Sequence, residues 1–247
     1  MDDLFDLCDC GGFEDDAVSD LPAQSLPLIG DSAPAFSAMT TNGPIHFPGD
    51  FAGQWVVFFA HPSDFTPVCT SEFIAFQGIL DDLHKMNTRL LGLSVGSIPS
   101  HLAWIRAIRE ISDVQITFPV IADVNMDIAR SYGMISPSAS DTSAVRAVFV
   151  IDPNGTIRAI LYYPAVLGRN MDEIKRVVVA LQTADAFTVA TPADWVPGRD
   201  VLVGAPSTTD AVRRAGNMAD WFLTYKKLPE SEINAKIYKK NTGRTKK

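Results

Sequence analysis

A cysteine at the start of an expected helix is the residue of this chain best suited to chemistry. Residues 62–69 read Pro-Ser-Asp-Phe-Thr-Pro-Val-Cys and end at Cys69. They lie between residues 55–59, an apolar run typical of a buried strand, and residues 72–80, whose pattern is typical of a helix. In a first helical turn, unpaired backbone N–H groups and the helix dipole favour the thiolate. Because the thiolate is the nucleophilic form of cysteine, the sequence predicts a nucleophile at Cys69.

Two short patterns in this chain resemble those of the peroxiredoxin family. Pro62, Thr66 and Cys69 fit the family's active-site spacing Pro-x-x-x-Thr-x-x-Cys. Residues 146–153 fit its Arg-x-Val-Phe-x-Ile-Asp-Pro pattern. Other stretches resemble the 1-Cys subgroup (AhpC/TSA type) with a long C-terminal extension: residues 60–62, 66–72, 101–104, 163–164, 168–170 and 190–198. The resemblance covers about residues 26–230.

The resemblance implies a thiol-dependent peroxidase that reduces hydrogen peroxide and organic hydroperoxides, in antioxidant defence and redox homeostasis. Cys69 would attack one peroxide oxygen and become a sulfenic acid, while Thr66 and Arg146 would bind and polarise the peroxide. Pro62 would cover the sulfur and exclude water. The alternative for Arg146 is an edge-strand residue with its guanidinium in solvent, although a charge within an apolar strand normally needs a partner. We expect no metal, haem or flavin cofactor.

Three further residues are candidates for supporting roles. His61 could form a hydrogen bond near the sulfur or its oxidised product, or could be a packed or surface imidazole. Glu72 could pair with Arg169, or with another arginine of the site, and hold it in place. Alternatively, the helix dipole alone would favour a glutamate at that position. Arg169 precedes a helix cap and could instead be exposed.

The positions of the cysteines predict how the oxidised site is reduced. The chain contains Cys8, Cys10 and Cys69, and no cysteine follows Cys69. We therefore expect a 1-Cys cycle, in which an external thiol donor such as thioredoxin or glutathione reduces the sulfenic acid. Cys8 and Cys10 are either ordinary thiols or a tethered source of a resolving thiol, within the chain or across a dimer. A Cys-x-Cys metal site is a weaker alternative, since no His or further Cys lies near them in sequence.

Strand-like and helix-like segments alternate around these residues. The pattern predicts strands at residues 55–59, 89–95, 118–121, 144–151 and 156–163, and helices at residues 66–86, 100–108, 125–132 and 170–186. This order predicts an α/β fold with a central mixed sheet and helices on both faces. The resemblance implies the same arrangement, which is the thioredoxin-like fold.

Changes in composition predict three parts of the chain. Residues 1–25 form an acidic arm whose composition is not typical of a core, and we expect it to be flexible. Residues 26–187 would form the thioredoxin-like domain. Residues 188–247 are rich in loop-forming residues and end in a basic tail. We expect this C-terminal extension to pack against a second subunit, giving a homodimer or a ring of dimers.

Charge and hydropathy exclude several classes of partner. The net charge of −8 argues against nucleic acid as the main partner. No apolar run approaches the length of a membrane-spanning helix, and the acidic N-terminus lacks the features of a secretory signal. The three cysteines are too few for a disulfide scaffold. We therefore expect a cytoplasmic protein that does not bind membranes.

Two other functions fit the same residues. The chain could be a redox-sensing scaffold or holdase chaperone whose binding to clients depends on the oxidation of Cys69. It could also be an inactive interaction module with a thioredoxin-like fold. Turnover of peroxide with a thiol donor separates both of these functions from that of a peroxidase.

Overall fold

The computed structural model describes residues 26–135, 144–214 and 220–238. Its strands are β1 (Phe36–Thr40), β2 (Gly43–Phe47), β3 (Trp55–Ala60), β4 (Thr88–Ser94), β5 (Val120–Ala122), β6 (Arg146–Ile151), β7 (Ile157–Tyr163), β8 (Val201–Leu202) and β9 (Tyr225–Lys226). Its helices are α1 (Pro67–Lys85), α2 (Ile98–Ser112), α3 (Asp127–Ser131), α4 (Met171–Phe187), α5 (Thr209–Arg214) and α6 (Glu230–Ile237). A short 3-10 turn, Gly49–Phe51, leads into β3.

Within the described residues, seven strands form one mixed sheet in the order β2-β1-β5-β4-β3-β6-β7. The strands β3, β4 and β5 run parallel to one another, because helical segments connect them. The pairs β3–β6, β6–β7, β1–β5 and β1–β2 are antiparallel. The carboxyl end of β3 and the first residue of β6 therefore lie at the same edge of the sheet, where the candidate nucleophile follows β3.

Helices cover both faces of this sheet. Alternate residues of β3 belong to two different clusters, since successive side chains of a strand point to opposite faces. Val57 and Phe59 pack in the cluster that receives α1, α2 and α4. Val56 and Phe58 pack in the other, which receives α3. The predicted central mixed sheet with helices on both faces is confirmed.

Sequence patterns located the main elements to within a few residues, but not all of them. The hairpin of β1 and β2 was not predicted, although Asn42-Gly43 at its turn is a common hairpin signal. Both strands are short and alternate between partly buried and exposed residues, so their apolar pattern is weak. The helix cap that follows Arg169 is Asn170, whose side chain accepts hydrogen bonds from the backbone N–H groups of Asp172 and Glu173.

The segment after α4 packs on the core of its own chain. Trp195, Val201 and Ile233 are buried and belong to the same cluster as α1 and α4. The expected contact of this extension with a second subunit stays a prediction. Residues 1–25, with Cys8 and Cys10, lie outside the described residues, as does most of the basic tail. No helix in the described part of the chain is both long enough and apolar enough to cross a membrane.

Candidate active site

The connection between β3 and α1 places Cys69 in the first turn of a helix. Residues 61–66 form the loop between these elements, and α1 begins at Pro67. Thr66 is the N-cap residue, with extended backbone angles of φ −108 and ψ 148. Proline suits the next position, because its fixed φ is helical and its missing N–H would be unpaired there anyway. Cys69 follows two residues later and is 0% exposed.

Arg146 is the residue that faces the sulfur. It is the first residue of β6, and its side chain is 3% exposed. Its Nη1 lies 3.3 Å from Cys69 Sγ, and its Nε donates a hydrogen bond of 2.9 Å to the carbonyl of Ala165. The structure thus places this arginine in the interior, instead of leaving its guanidinium in solvent. A guanidinium stays charged at all relevant pH values and therefore stabilises an adjacent thiolate.

Glu72 lies between two arginines, and we call Glu72, Arg146 and Arg169 the charged cluster. Glu72 Oε2 accepts hydrogen bonds of 2.6 Å from Arg146 Nη1 and 2.7 Å from Arg169 Nη2. Its Oε1 accepts bonds of 2.8 Å from Arg169 Nε and 2.9 Å from the Arg169 backbone N–H. Burial alone would raise the pKa of Glu72, but the bonds and charge of Arg169, with the charge of Arg146, lower it below its ordinary value.

Arg169 connects the charged cluster to the sheet. Its Nη1 donates to the carbonyls of Ala60 and Ala147, at 2.8 and 3.1 Å, which lie on β3 and β6. Its guanidinium also lies over the rings of Phe59 and Phe76, 5.1 and 5.3 Å from their centroids. Arg169 is therefore buried, contrary to the alternative in which it is exposed. Glu72 thus binds both guanidiniums, and one of them, that of Arg146, reaches the sulfur.

Thr66 and Pro62 lie in the loop that precedes the helix. The Thr66 hydroxyl donates a hydrogen bond of 3.0 Å to the carbonyl of Ser63, and the Thr66 carbonyl accepts from the backbone N–H of Thr70. Both Thr66 and Pro62 are partly buried. Phe65, between them, is exposed and has a left-handed φ of 56. The loop thus joins Ala60, whose carbonyl accepts from Arg169, to the helix that carries Cys69.

His61 contacts a carboxylate of the same loop. Its Nε2 is 3.0 Å from Asp64 Oδ1, and His101 Nδ1 of α2 is 2.8 Å from Asp64 Oδ2. The Ser100 hydroxyl donates to the same Oδ2 at 2.6 Å. We call His61, Asp64 and His101 the histidine–aspartate cluster. Burial lowers the pKa of His61, and its bond to Asp64 opposes that shift.

The histidine–aspartate cluster is the group of described residues whose spacing could hold a metal ion. Its inward ligand atoms already bond to one another, since an ionised carboxylate accepts and each imidazole donates an N–H. Burial alone would raise the pKa of Asp64, but hydrogen bonds from His101, His61 and Ser100 lower it. The carboxylate is therefore charged, and its charge is satisfied by three donors.

Sequence reasoning did not assign a role to Asp64 or His101. Asp64 lies inside the loop of residues 62–69, and His101 lies three residues before Trp104 on the apolar face of α2. A histidine on an apolar helix face is a signal for a buried polar contact. The partner could not be identified, because Asp64 and His101 are 37 residues apart in sequence.

Two family models match the sequence. The model of the AhpC/TSA family matches residues 29–160, and the model of the C-terminal domain of 1-Cys peroxiredoxin matches residues 180–217. Among curated proteins, the chain is 53% identical over 215 residues to a peroxiredoxin of Methanosarcina mazei, covering 82% of this chain and 98% of that protein. It is 52% identical over 218 residues to a peroxiredoxin of Aquifex aeolicus, covering 83% of this chain and 98% of that protein.

Solved structures give the same likeness. A yeast mitochondrial 1-Cys peroxiredoxin superposes with a TM-score of 0.74 at 39% identity, and the superposition covers 82% of this chain and 100% of the yeast chain. A cysteine-to-serine mutant of Peroxiredoxin 6 of Arenicola marina superposes with a TM-score of 0.73 at 31% identity, covering 82% of this chain and 99% of that one. The thioredoxin-like fold predicted from the sequence is confirmed.

Proposed function

Because this chain belongs to the AhpC/TSA family of peroxiredoxins, we propose that it reduces hydrogen peroxide and organic hydroperoxides through a sulfenic acid at Cys69. It is a peroxidase oxidoreductase, as the sequence predicted. The observation that carries the proposal is the distance of 3.3 Å between Arg146 Nη1 and Cys69 Sγ. A buried sulfur beside a fixed cation is an activated nucleophile.

In the first step, the Cys69 thiolate attacks one oxygen of the peroxide. An S–O bond forms and the O–O bond breaks, so the sulfur is oxidised and the other oxygen leaves as hydroxide or alkoxide. Arg146 stabilises this leaving oxygen, since its guanidinium lies beside the sulfur and stays charged. The Thr66 hydroxyl can turn from the Ser63 carbonyl to donate to one peroxide oxygen, and its own oxygen can accept from the peroxide hydrogen. The leaving oxygen then takes a proton and departs as water or an alcohol.

Glu72 and Arg169 keep Arg146 in place for this step. Glu72 accepts from both guanidiniums, and Arg169 is fixed by two main-chain carbonyls at the ends of β3 and β6. The two arginines, Glu72 and the thiolate carry a net charge close to zero, which favours the thiolate in a buried site. Pro62 limits the access of water to the sulfur from the loop side.

The second step returns the sulfur to the thiol with an external donor. One donor thiol condenses with the Cys69 sulfenic acid to a mixed disulfide and water, and a second thiol releases Cys69 and leaves as a disulfide. The absence of any cysteine after Cys69 in the sequence supports this 1-Cys cycle. The yeast relative was studied for thiol resolution through the glutathione and thioredoxin systems. We propose a donor of one of these two kinds.

The direct test is peroxide consumption by wild type and Cys69→Ser with thioredoxin and with glutathione as separate donors. We expect turnover by the wild type and background consumption by Cys69→Ser. Turnover retained in the variant would refute the proposal. A wild type that does not turn over, but changes its oligomeric state or client binding on oxidation, would favour the redox-sensor function.

The role of Cys8 and Cys10 needs a separate experiment. After one equivalent of peroxide, peptide mass mapping should find Cys69 oxidised, with Cys8 and Cys10 still thiols. A disulfide from Cys69 to either of them would replace the 1-Cys cycle with an internal resolving step.

We also propose a homodimer or a ring of dimers, and a cytoplasmic location. The low cysteine count supports the location.

A further inference from the structure

The loop that carries Pro62 and Thr66 contains a strained residue. Phe65 has a φ of 56, a left-handed conformation that bulky side chains rarely adopt. The residue is 60% exposed and its ring centroid lies 6.5 Å from that of Trp104, so packing of the ring holds it there only weakly. Such a conformation persists when the surrounding structure fixes it from both sides. On one side, the Thr66 carbonyl accepts the first backbone hydrogen bond of α1 from Thr70; on the other side lies Asp64.

Asp64 is fixed by three hydrogen bonds that reach two separate parts of the fold. His61 Nε2, at the carboxyl end of β3, lies 3.0 Å from Oδ1. His101 Nδ1 and Ser100 Oγ, both on α2, lie 2.8 and 2.6 Å from Oδ2. The carboxylate therefore attaches the loop to α2 and also ties Asp64 to His61, the residue that directly follows β3.

The surroundings make this attachment rigid. His61 and His101 are each 0% exposed. The His61 ring packs against Phe73 and Trp104, with centroids 4.8 and 5.2 Å away. Trp104 in turn donates a hydrogen bond of 3.2 Å to the Thr70 hydroxyl, on the first turns of α1. The His61 imidazole therefore cannot turn away from Asp64 without disturbing this packing.

We propose that Asp64 is a positioning residue for peroxide reduction, which fixes the loop of Pro62 and Thr66 against α2 through His101 and Ser100, with His61 as its partner within the loop. The proposal rests on the proposed peroxidase function. The attack on the peroxide then depends on two separate groups. The charged cluster makes the sulfur nucleophilic, and Asp64 fixes the position of the peroxide relative to the sulfur. A loop displaced by about 1 Å can cost about 100-fold in rate, because the reacting atoms lose their alignment.

The test compares two reactions of the same sulfur. Oxidation of Cys69 by hydrogen peroxide needs a positioned peroxide, whereas alkylation by iodoacetamide needs the thiolate and access to it. For Asp64→Ala, we expect the second-order rate constant for peroxide to fall about 10- to 100-fold. The alkylation rate of the same variant should stay within about twofold of wild type, since Arg146 and Glu72 are unchanged.

Two further variants keep the result interpretable. Asp64→Asn retains one acceptor oxygen, so its rate constant for peroxide should fall about threefold. This variant can be measured even if Asp64→Ala fails to fold. Asp123→Ala is the matched control. Asp123 is also buried, and it accepts hydrogen bonds from the backbone N–H groups of Ile128 and Ala129 in α3. Its loss should lower stability and leave the peroxide rate unchanged.

Three results would overturn the proposal. One is a parallel fall of the peroxide and alkylation rates in both Asp64 variants. Another is an equal fall of the peroxide rate in Asp64→Ala and Asp123→Ala. The third is a fall in the peroxide rate constant of the wild type after treatment with EDTA that equals the fall caused by Asp64→Ala. The cluster would then act by binding a metal. A wild type in which peroxide does not oxidise Cys69 would instead refute the peroxidase function itself.

Discussion

The charged cluster and the histidine–aspartate cluster both lie next to the active-site loop of residues 61–66 and differ in kind. In the charged cluster, one carboxylate is shared by two arginines, and Arg146 reaches the sulfur. In the histidine–aspartate cluster, one carboxylate is shared by two imidazoles and a hydroxyl, and its bonds join the loop to α2. The first provides charge beside Cys69, and the second provides a fixed backbone.

This difference separates reactivity from placement. A cation next to a thiolate changes the rate of reaction with every electrophile that reaches the sulfur. A fixed loop changes only the rate of reaction with the substrate that the loop binds. Variants of the two clusters should therefore differ in the ratio of the peroxide rate to the alkylation rate.

The largest effect is expected from Arg146→Ala. The sulfur loses its cation and the leaving oxygen loses its donors, so the peroxide rate constant should fall about 1,000-fold. The alkylation rate at pH 7 should also fall, by about 10-fold, which distinguishes this cluster from the other. Both are measured by rapid mixing. Arg106→Ala removes an exposed arginine that pairs with Glu110, and it should change neither rate.

Glu72→Gln should have the next largest effect, on stability. It leaves the guanidiniums of Arg146 and Arg169 buried without their shared carboxylate, and breaking a buried ion pair in this way costs about 3–5 kcal/mol. Urea unfolding measures the loss. Glu110→Gln, in the exposed pair with Arg106, should change stability by less than about 1 kcal/mol. Equal effects of the two variants would contradict the role given to Glu72.

Thr66→Val should weaken the binding of the peroxide without changing the charges beside Cys69. Valine keeps the shape but removes the hydroxyl, so the peroxide rate constant should fall about 10- to 100-fold with little change in alkylation. Thr66→Ser keeps the hydroxyl and should stay within about threefold of wild type. If valine and serine gave the same rate, the hydroxyl would have no part in binding the peroxide.

The smallest effect concerns the pH dependence of stability. Burial lowers the pKa of His61 below its ordinary value of 6.5, so the unfolded chain binds a proton below pH 6.5 that the folded protein does not. The free energy of unfolding should therefore fall as the pH drops from 6.5, by up to about 1.4 kcal/mol per pH unit for this group. Burial lowers the pKa of His84 too, so the slope in His61→Gln should be smaller, not zero. An unchanged slope would show that His61 is not held neutral.

The local part of the site could be predicted from the sequence. Cys69 and Thr66 lie within one short pattern at a strand-to-helix junction, and the charge of Arg146 stands out in an apolar strand. The roles of Glu72 and Arg169 stayed open between several alternatives, because their contact joins residues 97 apart and depends on how α1 packs on the sheet. Asp64 and His101 were missed for the same physical reason. The hairpin of β1 and β2 was missed although its turn carried a signal.

The most direct test of the account is the ratio of two rate constants for Cys69 of the wild type, one for hydrogen peroxide and one for iodoacetamide. The same ratio is measured for a small free thiol at matched thiolate concentration. A site that both activates the sulfur and places the peroxide should exceed the free thiol by about 1,000-fold or more in this ratio. A ratio equal to that of the free thiol would mean that Cys69 is merely a reactive thiolate, and would contradict the account.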